Sequence, residues 1–297
     1  MTAYVFPGQG AQFTGMGKRL FDVNELAQTL FKQADDVLGF ALSDVMFSGS
    51  EEDLRQTRIT QPAIFVHSTV NFLAAEETPR PDAVAGHSLG EFSALVAAGA
   101  IAFPDALRLV SQRALAMQEA ADGQAGTMAA VLGLDDAMIE EACERIAEIV
   151  VPANYNSPGQ LVISGTEAGI AEASKILADL GARKVVALPV GGAFHSPLME
   201  PAREKLREAI EATRFRPPGC TIYQNVDGKP SVDPETIKDK LIRQLTAPVR
   251  WTQTIQQMEA DGVNRFVEVG GKGKVLAGLI KKVNRQLTVD QLSDSDG

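Results

Sequence analysis

The sequence predicts an α/β protein in two parts: a large domain on a parallel sheet, and a small domain inserted into it. Three observations predict this. Short apolar runs alternate with segments of helical periodicity, the pattern of a sheet covered by crossover helices. A strand-like run, a Gly-x-Ser-x-Gly turn and a helical segment follow one another between residues 82 and 98. Between residues 126 and 191 the order becomes strand, helix, strand, strand, helix, strand.

The composition allows such a fold and removes several functions. A chain of 297 residues, 45% of them hydrophobic, can bury a large core. A net charge of -10 argues against nucleic acid as a main partner. No apolar stretch approaches the length of a membrane span, and Met1 to Pro7 lacks the character of a signal peptide. Cys143 and Cys220 have no metal-ligand spacing and read as reduced core thiols. The expected location is cytoplasmic, and no metal site is expected.

Tyr4-Val5-Phe6 reads as a strand that runs into Pro7-Gly8-Gln9-Gly10-Ala11-Gln12. No Gly-Lys-Ser/Thr follows, so this is not a Walker phosphate loop. Phe13 stands where a dinucleotide fingerprint needs its third glycine. Taken alone, the loop is an ordinary strand-to-helix turn. Leu26 to Leu38 has helical spacing, and Gln61-Pro62 is expected to open a second helix through about Ala75. That helix is apolar nearly all round, so His67 within it reads as a satisfied core histidine.

Asp82 to Ala85 is a buried strand, Gly86-His87-Ser88-Leu89-Gly90 the turn, and Glu91 to Ala98 a helix closed by Gly99. Together they form a nucleophile elbow, which makes the large domain α/β-hydrolase-like. Glycines on either side admit the tight turn, and the new helix aims its free amides and positive end at whatever Ser88 attacks. The next helix, Phe103 to about Ala121, carries an inward seam of Ala106, Val110, Arg113 and Met117. A lone buried charge costs several kcal/mol, so Arg113 must be paired, with a carboxylate of the protein or of a substrate.

The small domain is expected to be ferredoxin-like, βαββαβ, over 126–191, with its first helix at Asp136–Ile149 and its last strand at Val185–Val190. Residues 1–125 and 192–297 are expected to form the large domain. The cleft between them is an expected ligand site. Gly191 to Pro197 is the return connection. Its His195 is poorly placed for core packing and follows Ser88 in chain order, as elbow enzymes require of their base. Beyond it, Thr221 to Val226 is a strand, Glu235 to Leu245 and Trp251 to Met258 are helices, Arg265 to Val269 is a buried strand, and Val275 to Val283 a last helix. The end, Asp290 to Gly297, reads as a disordered acidic tail.

These residues resemble a known family, the malonyl-CoA:acyl carrier protein transacylases, or FabD-type acyltransferases. The resemblance runs from about residue 3 to 285. It rests on Phe6 to Gln12, Gln61-Pro62-Ala63, Gly86 to Glu91, Arg113 with Met117, Asn154 to Gln160, Ala193 to Ser196, Gln244, and Pro248 to Trp251. One mild departure is Ala11, where many members have serine.

The resemblance implies a Ser88–His195 dyad, with the imidazole oriented by the backbone carbonyl of Gln244. It implies an oxyanion hole from the backbone amides of Gln9 and Leu89. Arg113 would face the acyl carboxylate beside Met117, and Asn154 and Asn156 would line the cleft. The implied reaction is ping-pong transfer of malonyl from malonyl-CoA to the phosphopantetheine thiol of acyl carrier protein, with no metal or organic cofactor. A stand-alone acyltransferase of a polyketide synthase shares all these features. A serine thioesterase or esterase is the alternative of another class, but it would usually want an acidic third member and has no use for the seam arginine. A non-catalytic carrier-binding subunit would not need an intact Ser88 and His195.

Overall fold

The computed structural model describes residues 1–77 and 80–292. Its strands are β1 (Thr2–Phe6), β2 (Ala83–Gly86), β3 (Gly126–Leu132), β4 (Val150–Ser157), β5 (Gln160–Thr166), β6 (Lys184–Ala187), β7 (Thr221–Tyr223), β8 (Pro230–Ser231), β9 (Arg265–Val269) and β10 (Thr288–Leu292). They form two sheets. The six-stranded sheet has the order β10-β9-β1-β2-β7-β8, parallel except for the β7–β8 pair. The four-stranded sheet, β4-β5-β3-β6, is antiparallel throughout.

The central strands β1 and β2 are short and apolar, as strands buried on both faces must be. Their carboxyl ends lead into the Gly8–Gln12 loop and the Ser88 turn, so the parallel sheet brings both to one edge. The apolar helix Thr57–Leu73 packs at the centre, with 14 of its 17 residues buried. His67 lies inside it and accepts a hydrogen bond from the Gly271 backbone N–H at 3.1 Å. The Phe103–Gly123 helix packs alongside and turns Arg113 and Met117 inward.

Five expectations are corrected. The expected strand Thr221–Val226 ends at Tyr223, so Gln224 and Asn225 lie beyond it. The helix expected from Gln61 begins at Thr57, which puts Pro62 inside it rather than in its first turn. Pro62 removes one backbone donor, and burial of nearly every residue around it outweighs that loss. The helix after Asp136 ends at Glu144, short of Ile149. The expected strand Val185–Val190 is only Lys184–Ala187, and the residues after it turn toward the site. Asp290 to Leu292, expected in a disordered tail, belong to β10 on the edge of the parallel sheet. The rest of that tail, residues 293–297, lies outside the described residues. No helix among the described residues is long and apolar enough to cross a membrane.

Candidate active site

The turn between β2 and the Gly90–Ala97 helix is built on close backbone approach. A Cβ on Gly86 would stand 1.9 Å from the Gly90 carbonyl carbon, and one on Gly90 would stand 2.0 Å from the Phe6 carbonyl oxygen. Neither position has room for a side chain. Ser88 adopts the left-handed region, with φ 53°. Its backbone N–H donates to Asn225 Oδ1 at 2.7 Å, and Asn225 Nδ2 donates to the Gly86 carbonyl at 2.7 Å. The Asn225 side chain therefore bridges the two sides of the turn.

His195 is also left-handed, with φ 58°. It reaches Ser88 across the site, its Nε2 2.7 Å from Ser88 Oγ. Its Nδ1 lies 3.0 Å from the Gln244 backbone carbonyl. A carbonyl can only accept, so Nδ1 carries the proton and Nε2 presents a lone pair to the serine hydroxyl. Burial, reinforced by the charge of Arg113, lowers the imidazole from 6.5 to about 3. The ring is a neutral acceptor at any physiological pH.

Arg113 is buried, 1% exposed. Its Nη1 donates to Gln61 Oε1 at 2.6 Å, and its Nη2 donates to Ser88 Oγ at 3.1 Å and Gln244 Oε1 at 3.3 Å. The guanidinium carbon lies 5.9 Å from the centre of the Phe92 ring. Burial lowers the group from 12.5 to about 10, opposed by the charge of Glu91, so it stays cationic. Among the described residues no carboxylate makes an ion pair with it, and its Nε, also buried, has no hydrogen-bond partner. The pairing the seam requires is met by neutral acceptors alone, which leaves the guanidinium ready for an anion.

Ser88, His195 and Arg113 line one cavity of about 290 Å³, together with Gln9, Leu89, Met117 and Asn154. Among the described residues, no backbone group takes up the N–H of Gln9 or Leu89. The buried Oδ1 of Asn154 is likewise without a partner. Met117 Sδ accepts from Gln61 Nε2 at 3.3 Å, which helps fix the amide that holds Arg113. Leu188, Pro189 and Val190 close one side, and Arg55 stands at the rim. Asn156 is not in the lining. Its Oδ1 instead takes the Nε2 of His87 at 2.8 Å, tying the antiparallel sheet to the elbow. Among the described residues there is no group of three His, Cys, Asp or Glu that could hold a metal ion.

Sequence reasoning gave no role to Asn225, Gln61, Glu91 or the Gln244 side chain. The sequence pattern places Asn225 within a strand, whereas it follows the shorter β7 at the carboxyl edge where Gln9 and Ser88 also lie. Gln61 and Glu91 stood inside quoted motifs, but their contacts are long-range and leave no local pattern.

The chain as a whole matches known proteins. The acyl transferase domain matches residues 3–293. The malonyl CoA-acyl carrier protein transacylase of Bacillus subtilis (strain 168) is 43% identical over 298 residues, covering 99% of this chain and 94% of that protein. The protein of the same name from Staphylococcus aureus (strain COL) is 40% identical, covering 100% of this chain and 97% of its own. Among solved structures, an acyl-carrier-protein S-malonyltransferase from Burkholderia pseudomallei superposes with a TM-score of 0.95 at 41% identity, covering 99% and 96% of the two chains. A malonyl-transacylase solved in complex with its type II polyketide synthase acyl-carrier protein gives 0.94 at 40%, covering 99% and 96%. Matched over nearly its whole length by both sequence and structure, the chain belongs to the acyl transferase family, with the malonyl CoA-acyl carrier protein transacylases.

Proposed function

We propose that this chain transfers the malonyl group of malonyl-CoA to the phosphopantetheine thiol of an acyl carrier protein, supplying fatty acid synthesis from the cytoplasm. One observation carries the reading. A serine hydroxyl, an imidazole lone pair and a buried guanidinium without a carboxylate partner meet within 3.1 Å of one oxygen in one cavity. A hydrolase of simple esters needs the first two; only an acyl group bearing a carboxylate uses the third.

In the first half-reaction Ser88 Oγ attacks the thioester carbonyl carbon and its proton passes to His195 Nε2. The oxyanion that forms is held by the backbone amides of Gln9 and Leu89. Collapse breaks the carbon–sulfur bond, and the imidazolium returns its proton to the coenzyme A thiolate, leaving malonyl-Ser88. In the second half the carrier thiol gives its proton to His195 and attacks the ester carbonyl. Ser88 Oγ leaves and takes the proton back. The Gln244 carbonyl stabilises the Nδ1–H of the imidazolium in both halves, in place of a third carboxylate. Arg113 holds the malonyl carboxylate, with Met117 beside it, and the orphaned Oδ1 of Asn154 takes a donor from the bound substrate. Asn156 acts at one remove, through His87.

We read residues 1–125 and 192–297 as an α/β-hydrolase-like domain and 126–191 as an inserted ferredoxin-like domain. The elbow on a parallel sheet supports the first, and the order β4-β5-β3-β6 with two covering helices supports the second. The cavity draws on both, with Ser88 from one and Met128 and Asn154 from the other.

The test is an intact-mass measurement after mixing with malonyl-CoA and then with holo acyl carrier protein. A malonyl adduct should appear on the chain and then leave it for the carrier. Free malonate released without a carrier would favour a thioesterase. A polyketide carrier is the second reading, favoured by the likeness to a transacylase solved with one. Comparing carriers from the two pathways in the second half-reaction separates them.

A further inference from the structure

Glu91 takes no part in the steps above, yet both of its oxygens are engaged. It stands in the first turn of the elbow helix, wholly buried. Its Oε1 accepts from Gln224 Nε2 at 2.9 Å. Its Oε2 accepts from the Asn225 backbone N–H at 3.0 Å and from Gln244 Nε2 at 2.9 Å. Both amide groups are oriented by a second bond. Gln224 Nε2 also donates to the Ile237 carbonyl at 3.1 Å, and Gln244 Nε2 to the Ser88 carbonyl at 3.0 Å. Everything bonded to Glu91 is therefore an N–H donor, an arrangement that suits a carboxylate and gives an acid proton no acceptor. Burial raises the carboxyl above its ordinary value against the pull of these hydrogen bonds and of the Arg113 charge. The all-donor geometry is therefore what argues for the carboxylate.

Two of the three donor residues, Asn225 and Gln244, lead outward to the reacting groups. Asn225 Oδ1 takes the Ser88 N–H, the Gln244 carbonyl takes the His195 Nδ1–H, and Gln244 Oε1 takes an Arg113 N–H. One carboxylate that touches none of the three stands a single residue away from each. An ordinary buried polar group satisfying loop ends would account for the bonds but not for the charge. Arg113 has no ion pair among the described residues, and a buried guanidinium needs a compensating charge. Glu91 supplies it across the Gln244 amide.

We infer that Glu91 is a positioning residue: through Asn225 and Gln244 its carboxylate keeps the Ser88 main chain and the His195-orienting carbonyl in register, and it balances Arg113 until an acyl carboxylate arrives. The inference rests on the reading of malonyl loading on Ser88. It has two separable consequences. Without the charge, Arg113 holds a substrate carboxylate harder in the ground state. Without the clamp, serine and imidazole drift, and a misplacement of about 1 Å can cost about 10²-fold in rate.

The experiment is single-turnover acylation of Ser88 by malonyl-CoA and acetyl-CoA in the wild type, Glu91→Gln and Glu91→Asp, with thermal unfolding measured alongside. Glu91→Gln should slow the maximal rate with both thioesters by about 10²-fold. It should also lower the half-saturating concentration of malonyl-CoA while leaving that of acetyl-CoA unchanged. Glu91→Asp keeps the charge and shortens the reach, so it should slow the maximal rate and keep the wild-type ratio of half-saturating concentrations. The same change in half-saturation for both thioesters in both variants would make Glu91 a purely structural residue. Should Glu91→Gln fail to fold, a wild-type maximal rate in Glu91→Asp would overturn the clamp by itself. A wild type that takes no malonyl from malonyl-CoA would overturn the proposed function instead, whatever the variants do.

Discussion

Arg113 donates to the hydroxyl oxygen of Ser88 at 3.1 Å, the same oxygen that His195 approaches at 2.7 Å from the other side. The guanidinium therefore acts on the nucleophile before it acts on any substrate. In the free site this donor occupies a lone pair of Oγ, on the atom that would attack. The same charge opposes protonation of His195, which keeps the base free. On the proposed reading an incoming acyl carboxylate would draw the same nitrogen away from Ser88, so that binding the right acyl group and releasing the serine for attack would be one event.

The dyad gives the first prediction. Ser88→Ala should abolish the malonyl adduct in intact-mass spectra and leave the thermal midpoint close to wild type, since alanine keeps a Cβ at the same left-handed φ. His195→Ala should lower both half-reactions by about 10²–10⁴-fold, the usual worth of general-base assistance. Full malonyl loading of the Ser88 variant would remove the elbow from the mechanism.

The second prediction concerns pH. His195 falls from 6.5 unfolded to about 3 folded, chiefly through burial. Between those values the unfolded chain binds a proton that the folded chain refuses, so stability rises with pH across this window. The contribution of His195 is complete above about 6.5 and is lost as pH falls toward 3. His195→Gln should accordingly flatten the fall in thermal midpoint from pH 6.5 to 4, measured at constant ionic strength. A variant with the wild-type slope would mean that other groups carry it.

Third, the elbow glycines should be irreplaceable for steric reasons. Gly86→Ala drives a Cβ into the Gly90 backbone, where nothing flexible can yield. Forcing atoms into a packed site costs about 1–3 kcal/mol or more, so the loss should be at least several degrees in thermal midpoint. Gly123→Ala is the control: it has nothing within 4 Å of the new Cβ and should be neutral or slightly stabilising.

How far the chain could be read in advance differed between main chain and site. Strands such as Arg265–Val269 and the helix Val275–Val283 were legible to the residue, because burial on both faces or one face writes itself into local periodicity. Pro62 misled, since proline marks a helix start only where tertiary burial does not pull the preceding turn into the helix. The Ser88 turn was legible because its glycines are a local necessity. The partners of Arg113 were not. Gln61 and Gln244 lie 52 and 131 residues away, and no pattern along the chain records such contacts. Asn156 shows the same limit, since the motif that contains it could not say that its side chain turns onto His87 rather than into the cavity.

The most specific prediction is that Arg113 selects malonyl over acetyl. Its neutral partners, Gln61 and Gln244, hold the guanidinium in place but leave its charge without a contacting counter-ion. A malonyl carboxylate supplies one in the bidentate geometry that a guanidinium fork favours. Acetyl has none and leaves the charge as it was. Losing one side of such a pair costs about 2–5 kcal/mol, so Arg113→Ala should slow malonyl loading by about two orders of magnitude or more. Acetyl should load no worse than before, because it has no carboxylate to draw the guanidinium off Ser88 and the variant frees that oxygen. Arg113→Lys should recover only part of the malonyl rate, keeping the charge but losing the fork and the simultaneous reach to Gln61 and Gln244. The measurement is single-turnover acylation of Ser88 by each thioester in the wild type and both variants. Equal slowing of malonyl and acetyl in Arg113→Ala would mean that the arginine serves Ser88 and the packing of the seam, and that selectivity is set elsewhere in the cavity.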